Sequence, residues 1–410
     1  MSIATALIVL ALAEIALLLT VRRMRRGFQW LITEADELPA LDAKALRKFV
    51  DTSFDAELGW VRRPGSSGVE KGQRGSVNYQ IDAQGARRAP ASAPQRVAAF
   101  GDSYVFCRQV GDEDTWEAQL SRQAGFTVSN FGVGNYGVDQ ALLRYERTPL
   151  PVTVKLVILG FVPETICRVQ SCWKHYLEFG NTFAFKPRFA VADDGALKLL
   201  PNPVRGAEDF ARLQDILPLV RTMDGFYRRK FRALQFRFPY LVSFLRHPAR
   251  HGRLMAAVAL RGALRSIGAS RPRVEHLPFA LVMKHNIREA HLLYADPGAT
   301  SLLTAILMRF KEHARAKGHV PLVLVMPQLL DLRLQDGAPA PYRRYFQELG
   351  EHLPVLDLSG PLSAHDSRDL YVEDQYGGHL SVQGNRVVAQ CLASWLRESD
   401  VLQSTEGVRA

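Results

Sequence analysis

The sequence predicts an α/β/α protein with a five-stranded parallel sheet, preceded by one membrane span and interrupted by a large insertion. Three observations carry this reading. Five short apolar runs, VAAF (97–100), FTVSN (126–130), KLVILGF (155–161), VPLVLVMP (320–327) and LPVLDLS (353–359), alternate with helical patterns, the signature of parallel βαβ units. About 160 residues separate the third run from the fourth, far more than a crossover needs. Residues 3–21 form an apolar stretch of 19, broken only by Glu14.

At about 1.5 Å per residue that stretch crosses the roughly 30 Å hydrocarbon core of a bilayer. A cleaved signal peptide carries positive charge ahead of its apolar run; here none precedes it, and Arg22, Arg23, Arg25 and Arg26 follow at once. By the positive-inside rule the main domain is then cytoplasmic, with a periplasmic or extracellular domain as the alternative. An ionised Glu14 costs about 2.5–3.5 kcal/mol at mid-span, a cost met by protonation or by a partner helix.

Residues 27–95 read as a polar, helical linker to about Phe49 and then a small β-rich lead-in, with short alternating stretches among Gly, Pro and Ser. The sheet domain occupies 96–400 with its insertion at about 169–290, and 401–410 is a tail. Helices are expected at 115–123, 301–317, 341–349 and 382–397, and a turn at Asp193-Asp194-Gly195 inside the insertion.

Mean hydropathy near zero excludes a bundle of several spans. The net charge of +11 is local: between Arg221 and Arg273 thirteen basic residues meet one acid, Asp224, so this segment carries +12 and the rest of the chain −1. A chain-wide nucleic-acid coat is thereby excluded. Within the segment, residues 226–265 interleave aromatics with arginines, which suits a nucleic-acid face, a membrane-surface helix or a solvated cover over a cleft. Because the chain already carries a span, membrane contact outranks nucleic acid, and the cover stands level with membrane contact. Cys107, Cys167, Cys172 and Cys391 form no CxxC pair and read as free thiols, a Cys167–Cys172 disulfide being the lesser alternative. No His, Asp and Cys set has metal-ligand spacing, and no cofactor is implied.

The chemistry starts where the first strand ends. VAAFGDSY (97–104) delivers Asp102 and Ser103 at the carboxyl edge of the sheet, where open α/β sheets place ligands. On its own, Gly-Asp-Ser is more often a plain turn. His379 sits on a Gly-rich loop between the last strand and the last helical pattern, at the same edge, and can serve as general base toward a hydroxyl too weakly acidic to attack an ester unaided. A loop histidine with no task is the competing reading. Asp102 is expected to accept backbone N–H bonds and fix the turn.

Four blocks in order, GDSY (101–104), NFGVGNYGVDQ (130–140), LGFVPETICR (159–168) and YGGHLSVQGN (376–385), resemble the SGNH, or GDSL-like, hydrolase superfamily, and LGWVRRPGSS (58–67) looks like a lead-in found in some members. The resemblance covers about 97–168 and 300–397. It implies a flavodoxin-like α/β/α sandwich, an esterase activity, Ser103 as nucleophile and His379 as base. It also implies an oxyanion hole from the N–H groups of Ser103 and Asn135, where the family usually has glycine; asparagine tolerates the left-handed backbone better than most residues. Two positions depart from the pattern. The third-block asparagine is replaced by Glu164-Thr165, leaving the Thr165 hydroxyl, or a protonated Glu164, as substitute donor, with Glu164 otherwise lining the substrate site. The acid usually three residues before the histidine is Tyr376 here, so Asp374 is the expected orienting carboxylate and Asp357 the fallback. The expected substrate is an O-acyl or O-acetyl ester on a saccharide or lipid-linked saccharide; the resemblance supports the reaction class and does not fix the substrate. A catalytically impaired binding protein and an O-acyltransferase using the same serine are the alternatives.

Overall fold

The computed structural model describes residues 2–28, 38–72, 75–89, 93–178, 180–334, 340–372 and 378–402, of which 25–28, 71, 72, 272 and 273 by backbone alone. Five parallel strands form the central sheet: β1 (Gln95–Gly101), β2 (Thr127–Asn130), β3 (Leu156–Phe161), β4 (Val320–Val325) and β5 (Val355–Asp357). Their spatial order is 5-4-3-1-2, the flavodoxin-like doubly wound order. The chain leaves β1 toward β2 on one side and returns to β3 on the other, so the switch point lies between β1 and β3.

Strands covered on both faces need apolar residues at consecutive positions, and β3 is buried at all six. Alternation then divides them between two cores. Ala98, Phe100, Val157, Leu159, Val323 and Val325 join one, while Val97, Ala99, Leu156, Ile158, Leu322 and Leu324 join the other. The second core is closed by Trp116 and Leu120 of the helix Trp116–Ala124 and by Val388 and Leu392 of Val382–Ser399. The first is closed by the helices Val138–Arg147, Pro297–Ala316 and Pro341–Leu349. Three of these helices start at a side-chain cap: Thr115 accepts from Ala118 N–H, Asp296 from Ala299 N–H and Ser381 from Gly384 N–H.

The lead-in holds two small hairpins, Phe54–Asp55 with Gly59–Trp60 and Ser67–Gly72 with Gly75–Gln80. Between β3 and β4 a third hairpin, Arg188–Val191 with Leu197–Leu200, turns at the Asp-Asp-Gly, and the rest is helical. Asp224, the one acid of the basic segment, is buried and accepts from the N–H groups of Cys172, Trp173 and Phe226 and from the Ser171 hydroxyl, tying the start of that segment back to the chain after β3. All four cysteines are free, Cys167 and Cys172 included.

The apolar stretch at the start is the helix Ile3–Phe28, of which Ile3–Met24, 22 residues, is long and apolar enough to cross a membrane. Span and signal sequence both satisfy that description.

The glycine before the Asp102-Ser103 pair is required by a close approach. Gly101 faces Gly160 across β1 and β3, and a Cβ on Gly101 would lie 2.0 Å from the Gly160 carbonyl oxygen. Gly101→Ala is therefore expected to destabilise the fold by about 1–3 kcal/mol, read as a lower urea midpoint. Gly134→Ala, where a Cβ meets nothing within 4 Å, stays within about 1 kcal/mol of the parent.

Candidate active site

Past Gly101 the chain turns, and Asp102 holds the turn. Its buried carboxylate accepts the Tyr104 N–H at 2.9 Å, as an aspartate two residues earlier in a tight turn does, and reaches across to the Val162 N–H at 3.3 Å and Arg168 Nη1 at 3.3 Å. The end of β1 is thus fastened to the loop after β3. Asn130, at the end of β2, donates from Nδ2 to the Val105 carbonyl at 2.6 Å and accepts the Gly132 N–H at 2.9 Å, fastening the same turn to the loop after β2. Ser103 is left with its side chain at the cavity wall, 8 % exposed.

His379 pairs as a short strand with Val372 and is 5 % exposed. Its Nε2 lies 3.0 Å from Ser103 Oγ. Tyr104 holds the ring from below: the two ring centroids are 5.3 Å apart, and the Tyr104 hydroxyl donates to the carbonyl of Gly378 next door. Asp374, the expected orienting carboxylate, lies outside the described residues. The fallback, Asp357, does not serve: it accepts the Ser359 N–H and hydroxyl at 2.8 and 2.5 Å and faces Arg343 at 3.7 Å.

Asn135 has a φ of +70°, in the left-handed region where asparagine is tolerated. Neither its N–H nor that of Ser103 is used in a hydrogen bond among the described residues, so both remain available to a negatively charged oxygen. Thr165 is a correction. It opens the short helix Thr165–Arg168, is fully buried, and its hydroxyl points at Asp102 Oδ2, 3.5 Å away, so it is outside the cavity lining and cannot donate there. Glu164 does line the cavity, and its Oε2 accepts from Arg168 Nη2 and Gln328 Nε2, both at 3.1 Å. Its other oxygen, Oε1, is buried with no hydrogen-bond partner among the described residues.

Ser103, His379, Asn135 and Glu164 share one cavity of about 520 Å³ at the carboxyl edge of the sheet. Polar groups from Arg62, Glu70, Lys174 and Glu178 and the apolar faces of Trp60 and Phe279 complete much of its wall. Among the described residues no cluster of His, Cys, Asp or Glu could hold a metal ion. Four residues of this site escaped the sequence reading: Tyr104, Asn130, Arg168 and Gln328. Gln328 carried a usable signal, since it follows a strand end at the ligand-binding edge.

No family model and no curated protein matches the chain. Among solved structures, a protein described as belonging to the G-D-S-L lipolytic family, from Desulfitobacterium hafniense DCB-2, is similar with 11 % identity and a TM-score of 0.31, over 73 % of this chain and 98 % of that one. At that score the likeness decides neither fold nor chemistry.

Beneath the Ser103 turn, Cys107 Sγ donates to Glu117 Oε2 at 3.2 Å. Burial pushes Glu117 up to about 8 against the pull of its own backbone N–H and of Cys107, and burial with Glu117 beside it holds the Cys107 thiol well above the ordinary range. The folded chain therefore keeps a proton on Glu117 that the unfolded chain gives up near the usual 4.5. This stability is full below pH 4.5 and is lost as pH rises through about 8. Glu117→Gln is expected to flatten the fall in unfolding free energy between pH 5 and pH 8, read from urea titrations, by an amount on the order of a few kcal/mol; slopes equal to the parent's would show that Glu117 does not hold the proton.

Proposed function

We propose that the chain is a membrane-tethered serine ester hydrolase of SGNH type, using Ser103 as nucleophile and His379 as base. The observation that carries this is the 3.0 Å contact between His379 Nε2 and Ser103 Oγ, made inside a cavity at the sheet's ligand-binding edge. His379 takes the hydroxyl proton as Oγ attacks the ester carbonyl, and the N–H groups of Ser103 and Asn135 receive the oxyanion. Returned to the leaving alcohol, the proton lets the C–O bond break and leaves an acyl-serine. Water, deprotonated by the same imidazole, then releases the acid and restores Ser103. Asp374 is our assignment for the carboxylate that orients His379.

The substrate we assign is an O-acyl or O-acetyl ester of a saccharide or lipid-linked saccharide. Glu164 Oε1 supports it, since an unpartnered buried acceptor at the cavity wall matches a substrate hydroxyl. So does the mixture of ionic pairs, such as Lys174–Glu178, with an indole and a phenyl ring in one lining. The helix Ile3–Phe28 is our membrane anchor, and the arginines that follow its apolar run support a cytoplasmic main domain by the positive-inside rule.

The full-length chain is expected to hydrolyse a short-chain aryl ester and to react with a fluorophosphonate, fluoride leaving as Ser103 Oγ bonds to phosphorus. Ser103→Ala abolishes both, and His379→Ala lowers turnover by roughly 10³-fold or more. Folded wild type that neither turns over nor labels would remove the hydrolase reading. Labelling that survives Ser103→Ala would remove the residue assignment.

A further inference from the structure

Glu14, the one charge in the middle of the apolar run, has a partner. Its carboxylate accepts the N–H of Tyr240 and, at 2.8 Å, that of Leu241, the first two amides of the helix Tyr240–Arg246 in the basic segment. A helix start presents unpaired N–H groups and the positive end of its dipole, so the carboxylate and the amides satisfy each other without water. One turn further along, Leu17, Leu18 and Val21 pack with Tyr240, Leu254 and Val258. The segment is therefore fastened to the half of the anchor that leads toward its arginines.

That contact fixes a depth. From Glu14 to Val21 the anchor rises about 10 Å, a third of the roughly 30 Å hydrocarbon layer, so a helix capped by Glu14 begins inside that layer. The uncovered side chains of this helix and of the residues just before it suit hydrocarbon: Phe238 is 72 % exposed, Leu245 64 % and Val242 45 %. Non-helical backbone at such depth is tolerated only where its polar groups find protein partners, and the Glu14 cap supplies them. Arg237 and Arg246 flank the apolar side chains, and the +12 of residues 221–273 is concentrated around them.

We propose that residues 236–246 form a re-entrant element inserted into one leaflet beside the anchor, with the surrounding arginines on anionic headgroups. This rests on the reading of Ile3–Phe28 as a span. It favours membrane contact over a nucleic-acid face or a solvated cover because the segment is bonded to the anchor itself. It also reaches the site: the helix Pro272–Leu293 contributes Val282 to the cluster around the anchor and Phe279 and Met283 to the wall of the reactive cavity, so that wall is built on the leaflet element.

The test uses the full-length chain with Cys391→Ser, the other three cysteines being buried, in vesicles of phosphatidylcholine and phosphatidylglycerol. A single cysteine replaces Leu10, Phe238, Leu245 or Val152 and carries an environment-sensitive fluorophore; Val152, 90 % exposed, is the aqueous reference. Labels at positions 10, 238 and 245 are expected to lose most of their emission to lipids with a doxyl group on the acyl chain and little to aqueous iodide, with the reverse at position 152. If position 10 is quenched from the lipid while 238 and 245 behave like 152, the re-entrant element is overturned and the span stands. If position 10 also behaves like 152, the span itself is overturned, and the element with it.

Discussion

The buried guanidinium of Arg168 ties together the loops that follow four of the five sheet strands. Nη1 donates to Asp102 after β1 and to the Tyr136 carbonyl after β2, while Nη2 donates to Glu164 after β3, which in turn accepts from Gln328 after β4. Burial works against its charge, but Glu164 and Asp102 outweigh that and hold Arg168 above the ordinary guanidinium range. Desolvating three charges is expensive, and such a triad contributes less to stability than to geometry. What it fixes is the relative position of strand ends that would otherwise move independently.

The site depends on that fixation. Asn135 adjoins the Tyr136 carbonyl held by Arg168, and Ser103 adjoins the Asp102 carboxylate held by the same side chain, so the two amides assigned to the oxyanion are positioned by one group. Glu164 and Thr165, expected in the sequence as substitute donors, belong to this network: one accepts from Arg168, the other is turned toward Asp102. Tyr104 provides a further constraint, packing on the His379 ring and bonding to Gly378, whose φ is +86° and which lies close against Leu329.

The sheet was legible because parallel strands buried on both faces must be continuously apolar, and the helices because their caps and periodicity are local. The edge at which Ser103 and His379 lie followed from strand direction, but the 3.0 Å contact across 276 residues did not, since it depends on loop geometry. Arg168 was passed over because an arginine four residues from a glutamate is ordinary in sequence; its weight comes from two partners on other loops. Thr165 was misplaced for a related reason: the phase of a one-turn helix decides whether its hydroxyl meets the cavity or Asp102, and spacing does not record that phase. The partner of Glu14 lay more than two hundred residues away, beyond any periodic signal.

The proposed chemistry depends on one arrangement: Ser103 and His379 in contact, beside two backbone amides left unbonded among the described residues. The most direct measurement is the structure of the phosphonylated protein. Phosphorus is expected on Ser103 Oγ, with the phosphoryl oxygen about 2.7–3.1 Å from the amides of Ser103 and Asn135. Phosphorus on another residue, or an oxygen turned away from both amides, would contradict it.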